Sequence, residues 1–171
     1  MPRPGEQMKI LITMENGGNM LFKLFPKKLP ITVVNFVSLV SKKFYDGLSF
    51  HRVVKDYVIQ GGSADNTCNC TTDFTITGEF AENGYNTGLE HVRGTISMAR
   101  DDEFNSAGTQ FFVVHQDAHK LDGRYAAFGM LIEGFDVLDA VASVKTTARD
   151  LENKPLEPQI IKSIRIVEDR G

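Results

Sequence analysis

The sequence predicts a mainly β protein, an eight-stranded antiparallel closed β-barrel capped by two α-helices. Three observations lead there. Short segments of alternating or β-branched and aromatic residues recur along the chain. Only two stretches carry helical spacing. Strands and helices do not alternate regularly, which argues against a parallel sheet. Closing an antiparallel sheet into a barrel removes its exposed edges. At 171 residues and 42% hydrophobic content, the chain suits one domain with a full core. Residues 1–171 are therefore read as a single domain, with 1–7 as a short N-terminal arm.

The elements follow in order. Met8, Ile10, Ile12 and Met14 alternate onto one face, Asn16-Gly17-Gly18 supplies a turn, and Met20–Phe25 returns as the second strand of a hairpin. Pro30 suits the first turn of a helix. Val33, Phe36, Val37 and Val40 then recur at helical spacing, giving a helix from Pro30 to Lys43 that ends in a turn at Tyr45-Asp46-Gly47. Leu48–Val54 and Tyr57–Gly61 read as two strands joined at Lys55-Asp56. Gly62–Arg93 is a long irregular stretch in which Phe74-Thr75-Ile76 alone is strand-like. Such a loop in a compact domain is functional or packed on itself. Gly94–Ala99, Gln110–His115 and Tyr125–Ile132 are three further strands. Phe135–Val144 has helical spacing after Gly134, and Ile160–Val167 alternates as the last strand.

Composition narrows the function. Net charge is −3 and the basic residues are dispersed, so no nucleic-acid-binding face is expected. No apolar run approaches a membrane span. The opening MPRPGEQMK lacks the apolar core of a signal peptide, which leads to an expectation of cytoplasmic location. The two cysteines, Cys68 and Cys70, are too few and too close for a disulfide framework and fit a reducing compartment. A monomer is the default.

The chemistry concentrates in three stretches. Phe50–Gly62 (FHRVVKDYVIQGG) places a permanent cation, Arg52, and an amide, Gln60, on otherwise apolar strands. An Arg there is costly unless something receives its donors. Asn105–His115 (NSAGTQFFVVH) puts a second amide, Gln110, before two aromatic residues. Phe111 and Phe112, adjacent on a strand, face opposite sides. Leu121–Gly129 (LDGRYAAFG) follows closely. Together these read as an apolar pocket edged by a planar cation and two amides, suited to a neutral, partly apolar ligand containing carbonyls.

These stretches, with Ser97–Arg100 (SMAR), resemble in order and spacing the cyclophilins, the cyclosporin-type peptidyl-prolyl cis-trans isomerases, and most of all their short bacterial-type members. The resemblance runs from about Lys9 to Val167. It implies an eight-stranded barrel with a helix over each end, and isomerisation of X-Pro bonds in peptides and partly folded proteins during folding, without cofactor or metal. It implies Arg52, Gln60 and Phe112 as catalytic residues, with Arg52 as donor to the imide. Tyr57, Val58, Phe112 and Leu121 would seat the proline ring, and Tyr125 joins the binding residues. The backbone at Ala99 and Arg100 would pair with the residue before proline, and Gln110 would contact the peptide. The alternative is a non-catalytic proline-peptide module. Arg52 beside an apolar pocket favours the enzyme, because binding alone needs no donor near the amide nitrogen.

The chain departs from the family pattern in places. Tyr57 stands where Phe is frequent, Val58 where Met is common, and Tyr125 where His is frequent; Arg100 and Tyr125 match the bacterial group. Lys120 falls where cyclosporin-sensitive members carry Trp, so weak cyclosporin binding is expected. Phe104 stands near a common Pro, which leaves that loop's shape open. His51 is expected to be a hydrogen-bonded structural residue. His91, His115 and His119 with Cys68 and Cys70 lack zinc-site spacing, so no metal site is expected.

Overall fold

The structure, a computed structural model, describes residues 8–68 and 72–167. The arm expected over 1–7 and Cys70 lie outside the described residues. Strands β1 (Lys9–Met14) and β2 (Asn19–Leu24) form the predicted hairpin, with Lys9 opposite Lys23 and Thr13 opposite Asn19. Its turn uses Gly17 at φ 95°, and Gly18 N–H donates to Asn16 Oδ1 at 3.0 Å. The alternating residues Ile10, Ile12, Met20 and Phe22 are all buried, as a half-buried strand pair requires.

Helix α1 (Pro30–Ser41) buries Val33, Phe36, Val37 and Val40, the residues whose spacing predicts it. It stops two residues short of the predicted end, where Lys43 turns to a positive φ of 59°. Its start has no cap from Leu29. The carboxylate of Glu79, distant in sequence and itself buried, accepts from Thr32 N–H at 2.6 Å and Thr32 Oγ at 2.7 Å. The acid thus meets free donors and the positive end of the helix together. This bond also anchors the long 62–93 loop. The predicted strand at 74–76 reduces to a single bridge between Ile76 and Ala107.

The remaining strands and α-helix are β3 (Arg52–Val54), β4 (Val58–Gly61), β5 (Thr95–Met98), β6 (Phe111–Val114), β7 (Ala127–Glu133), α2 (Phe135–Ala142) and β8 (Ile161–Val167). The eight strands form one sheet in the order β3-β4-β6-β5-β7-β2-β1-β8, with every pair antiparallel. It curls into a nearly closed barrel. The segment read as one strand over 48–54 divides its pairing. Its last three residues pair with β4, whereas Leu48 and Phe50 reach the start of β8, through Ile161 N to Leu48 O at 2.7 Å and Phe50 N to Gln159 O at 2.9 Å. The seam is thereby sewn at one end.

The barrel interior centres on aromatic rings. Phe36 of α1 packs on Phe128 at 5.0 Å and Tyr45 at 5.3 Å, and Tyr45 meets Phe111 edge-on at 5.3 Å. The buried Tyr45 hydroxyl donates to the Thr109 carbonyl at 2.7 Å, so it carries no unmet donor. At the other end, α2 follows Gly134, whose φ is 102°. A side chain there would meet the backbone of Asn19 and Met20.

A polar clamp ties α2 to the strands. Arg93 forks onto Asp139 of α2 at 2.7 and 2.9 Å. Asp139 Oδ1 also lies 3.0 Å from His115 Nε2, while His115 Nδ1 accepts from Asp56 N–H at 2.9 Å. Since Nδ1 accepts, the ring proton sits on Nε2 and donates to Asp139. Asp56, at φ 64°, makes the β3–β4 turn, so the clamp holds the hairpin that carries Arg52 and Gln60.

Glu79→Ala is expected to destabilise the fold by about 1–3 kcal/mol, the cost of leaving buried donors at the helix start unpartnered. Urea denaturation of the two proteins measures it as a lower midpoint at unchanged slope.

Candidate active site

The antiparallel register builds the site. Arg52 lies opposite Gln60, Gln60 opposite Phe112, and Phe112 opposite Ser97. Directly opposed residues share a face, so these four form one row across β3, β4, β6 and β5. The neighbouring row, Val53, Ile59, Val113 and Ile96, belongs to the barrel core. The functional row therefore stands on the barrel's outer face. There Val58, Phe112, Val114, Ala118 and Leu121 form a second apolar cluster, with Tyr57, Ala99 and Tyr125 against it.

A hollow of about 160 Å³ opens in this cluster, lined by Arg52, Tyr57, Val58, Gln60, Ala99, Arg100, Phe112, Leu121 and Tyr125. Gln110 lines an adjoining groove that shares Gln60, Ala99 and Arg100 and runs toward Cys68 and Thr72. Every residue that the sequence assigns to the catalytic and peptide-binding set thus lies in the hollow or at the groove beside it. The apolar floor and walls are Val58, Phe112 and Leu121; the polar edge is Arg52, Gln60 and Gln110.

That edge is pre-oriented. Arg52 donates to Gln60 Oε1 at 3.2 Å, and Gln60 Nε2 donates to Gln110 Oε1 at 2.9 Å. Each bond fixes which way the next amide faces. His51, expected to be hydrogen-bonded, is buried, but among the described residues its ring nitrogens make no hydrogen bond of normal geometry. The side chain of Gln110 and the backbone of Ser49 lie beside it. Burial pushes its pKa below the ordinary value of 6.5, so the imidazole stays neutral.

The backbone at the site has one committed donor. Ala99 N–H already donates to the Gln110 carbonyl at 3.0 Å, closing the edge of β5 on the chain entering β6. That N–H is therefore engaged within the protein itself.

The structure also brings in residues that sequence patterning missed. The Arg100 guanidinium lies over Phe80 at 4.8 Å, Tyr125 at 4.9 Å and Phe104 at 5.5 Å. Its Nε donates to the Arg124 carbonyl at 2.8 Å. Phe104, the residue whose loop was open, packs edge-on against Phe80 at 5.3 Å. One cation therefore pins the Tyr125 wall and the 101–106 loop together. Lys120 sits with Nζ 4.3 Å from the Tyr57 ring centre, so it covers that ring rather than extending the apolar floor. Behind Phe112 stands the fully buried His91, its ring 5.9 Å away and nearly parallel at 21°. His91 is 21 residues from Phe112 in sequence, and no local pattern joins them. Ser97, in contrast, was within reach through the SMAR motif once register is known.

The hollow on the outside of the barrel sets an oriented guanidinium beside an apolar floor, a combination suited to a short peptide with an apolar residue. Comparison with known proteins makes the class specific. Residues 9–166 match the sequence family described as "Cyclophilin type peptidyl-prolyl cis-trans isomerase/CLD". A peptidyl-prolyl cis-trans isomerase of Acinetobacter baylyi is 37% identical over 157 residues, 88% of this chain and 81% of that protein. Peptidyl-prolyl cis-trans isomerase A of Dickeya dadantii is 35% identical over 164 residues, 92% of this chain and 84% of its own. A crystal structure of a Cryptosporidium parvum cyclophilin-type isomerase superposes with a TM-score of 0.86 at 28% identity, covering 95% of this chain and 99% of that one. The chain belongs to the cyclophilin-type peptidyl-prolyl cis-trans isomerases.

Two outcomes follow from the site's packing and its buried imidazoles. Phe112→Ala should weaken both peptide binding and folding, since the ring is 4% exposed and packs on Tyr125 and His91; the folding loss should be about 3–5 kcal/mol. A variant melting like the parent would contradict this. His51 and His91 both have pKa values pushed below 6.5, by burial first of all. The unfolded chain then binds more protons than the native one as pH falls below that value, so stability should drop on acidification through this window. Melting temperatures from pH 7.5 to 5 measure it, and His51→Phe should flatten the slope.

Proposed function

We propose that isomerisation takes place in this hollow, with Arg52 as the donor that favours the twisted imide. The X-Pro amide rotates over a barrier of about 18–20 kcal/mol because the nitrogen lone pair is delocalised into the carbonyl. No covalent bond has to form or break. Rotation is accelerated by whatever holds the twisted amide better than either planar form. In the twisted amide the nitrogen lone pair is localised and accepts a hydrogen bond, so a donor directed at it acts on the transition state alone. Each ~1.4 kcal/mol of such preference is tenfold in rate.

The observation that carries this reading is the cross-strand row Arg52–Gln60–Phe112. It sets a guanidinium tethered at one nitrogen beside an aromatic seat for the proline ring. The tether leaves the other Arg52 donors for a substrate carbonyl and the imide nitrogen. Val58, Phe112 and Leu121 grip the ring, with Tyr57 and Tyr125 at the walls. Gln60 orients Arg52. Gln110 contacts the peptide along the groove, and the Ala99 and Arg100 backbone aligns the residue before proline. The ligands are proline-containing peptides and partly folded chains, for which the slow proline step limits folding. The protein acts as a monomer in the cytoplasm, a location that its two-cysteine composition suits. Cyclosporin binds weakly, because Lys120 presents an ammonium over Tyr57 where an indole would offer a flat face and an N–H.

Arg52→Ala should reduce turnover of a Xaa-Pro tetrapeptide at least tenfold in a protease-coupled assay while the melting temperature changes little. A variant as fast as the parent would overturn the donor assignment. A cyclosporin titration of the parent should show no inhibition at nanomolar concentrations; nanomolar inhibition would remove the role given to Lys120.

A further inference from the structure

Behind the proposed prolyl seat lies a largely buried hydrogen-bonded chain that has no part in the proposed rotation. Asp122 Oδ1 lies 3.0 Å from His91 Nδ1, and His91 Nε2 lies 2.9 Å from Ser97 Oγ. The order carboxylate, imidazole, hydroxyl is that of a serine hydrolase. Here it cannot attack a substrate, because Ser97 and His91 are both fully buried beneath Phe112. Its geometry suits a different task.

The protonation pattern is settled by the partners. Burial lowers the His91 pKa, so the ring is neutral near pH 7. Nδ1 faces a carboxylate and therefore carries the proton and donates; bare Nε2 accepts from the Ser97 hydroxyl. The ring is thus held at both nitrogens. Asp122 Oδ1 also accepts the His91 backbone N–H at 2.6 Å, which fixes the base of the same side chain. Asp122 Oδ2 takes His119 Nδ1 at 2.8 Å. His119 and Asp122 bracket Leu121, one wall of the hollow. The locked imidazole lies nearly parallel to Phe112, and Tyr125 stands edge-on to Phe112 at 5.6 Å.

We propose that His91 is a positioning residue of the isomerase: locked as the Nδ1–H tautomer between Asp122 and Ser97, it backs the Phe112 ring and, through Asp122, couples that ring's placement to the Leu121 loop. The proposal rests on the reading of Phe112 and Leu121 as the prolyl seat. Such a seat grips the ring in the planar and twisted amide alike. Its loosening therefore raises KM, whereas loss of the Arg52 donor lowers kcat.

Saturation kinetics on a Xaa-Pro tetrapeptide, well below every melting temperature, test this in the full chain with the parent, His91→Gln, Asp122→Ala, Asp122→Asn and Arg52→Ala. His91→Gln and Asp122→Ala should raise KM at least threefold with kcat within twofold, and should shift the Phe112 ring carbon resonances. Asp122→Asn retains an oxygen for the His91 donors and should return KM to within twofold of the parent. Asp122 is partly exposed, so its variants decide the matter should His91→Gln fail to fold. The parent's His91 should show the Nδ1–H nitrogen shifts. Parental KM and an unmoved Phe112 resonance in Asp122→Ala, with Arg52→Ala impaired, would overturn the positioning role alone. Full activity in Arg52→Ala would instead overturn the reading of the site.

Discussion

Antiparallel register across four neighbouring strands is the constraint on which the site depends. Arg52, Gln60, Phe112 and Ser97 come from three separate stretches of chain, and none is near the others by sequence alone except the first two. Opposed positions put them in one row. Because side chains alternate with a period of two, a one-residue slip in any strand would exchange that row with Val53, Ile59, Phe111 or Met98. Such a slip would bury a guanidinium and an amide in the barrel and expose an aromatic residue to water. The apolar core thus enforces the register, and the site follows from it.

The two faces of the sheet have different energetics. Inside, edge-on and tilted aromatic contacts among Phe36, Tyr45, Phe111 and Phe128 contribute on the order of 0.5–1.5 kcal/mol each beyond area burial. Outside, the cluster of Val58, Phe112, Val114, Ala118 and Leu121 is small and open to the hollow. It is held by polar groups from behind and from the sides: Asp122 on His91, Arg100 on Tyr125, and the Asp139–His115–Asp56 clamp on the β3–β4 turn. An apolar seat by itself would fill its own hollow. Directional bonds keep its walls apart, so the proposed seat for the proline ring is shaped in advance.

Rotation of an imide asks for little chemistry, and the site is correspondingly spare. Arg52 holds one bond to Gln60, which in turn is held by Gln110. As the proposed donor, Arg52 fixed in this way is not reorganised as the nitrogen lone pair localises, and such preorganisation is where electrostatic catalysis gains over water. The chain's own departures act at the rim. Lys120 lies over Tyr57 and Arg100 over Tyr125, while the floor of the hollow at Val58, Phe112 and Leu121 stays apolar.

Much of this was legible in the residues themselves. Alternation in Met8–Met14, the three-and-four spacing of Val33, Phe36, Val37 and Val40, and Gly-rich turns mark elements through local physics, and these stand in the structure to within a few residues. Arg52, Gln60 and Gln110 announced themselves as costly polar groups in apolar strands, and all of them converge. Contacts made across the fold left no local trace. Glu79 caps a helix that begins 49 residues earlier, and His91 backs a ring 21 residues further along the chain. The Leu48–Val54 segment divides its bonds between two edges of the sheet. Periodicity and side-chain chemistry are properties of neighbours along the chain, so the sequence by itself determined the elements and the inventory of the site. Which distant donor meets which acceptor depends on how the barrel curls, and only the tertiary structure decided that.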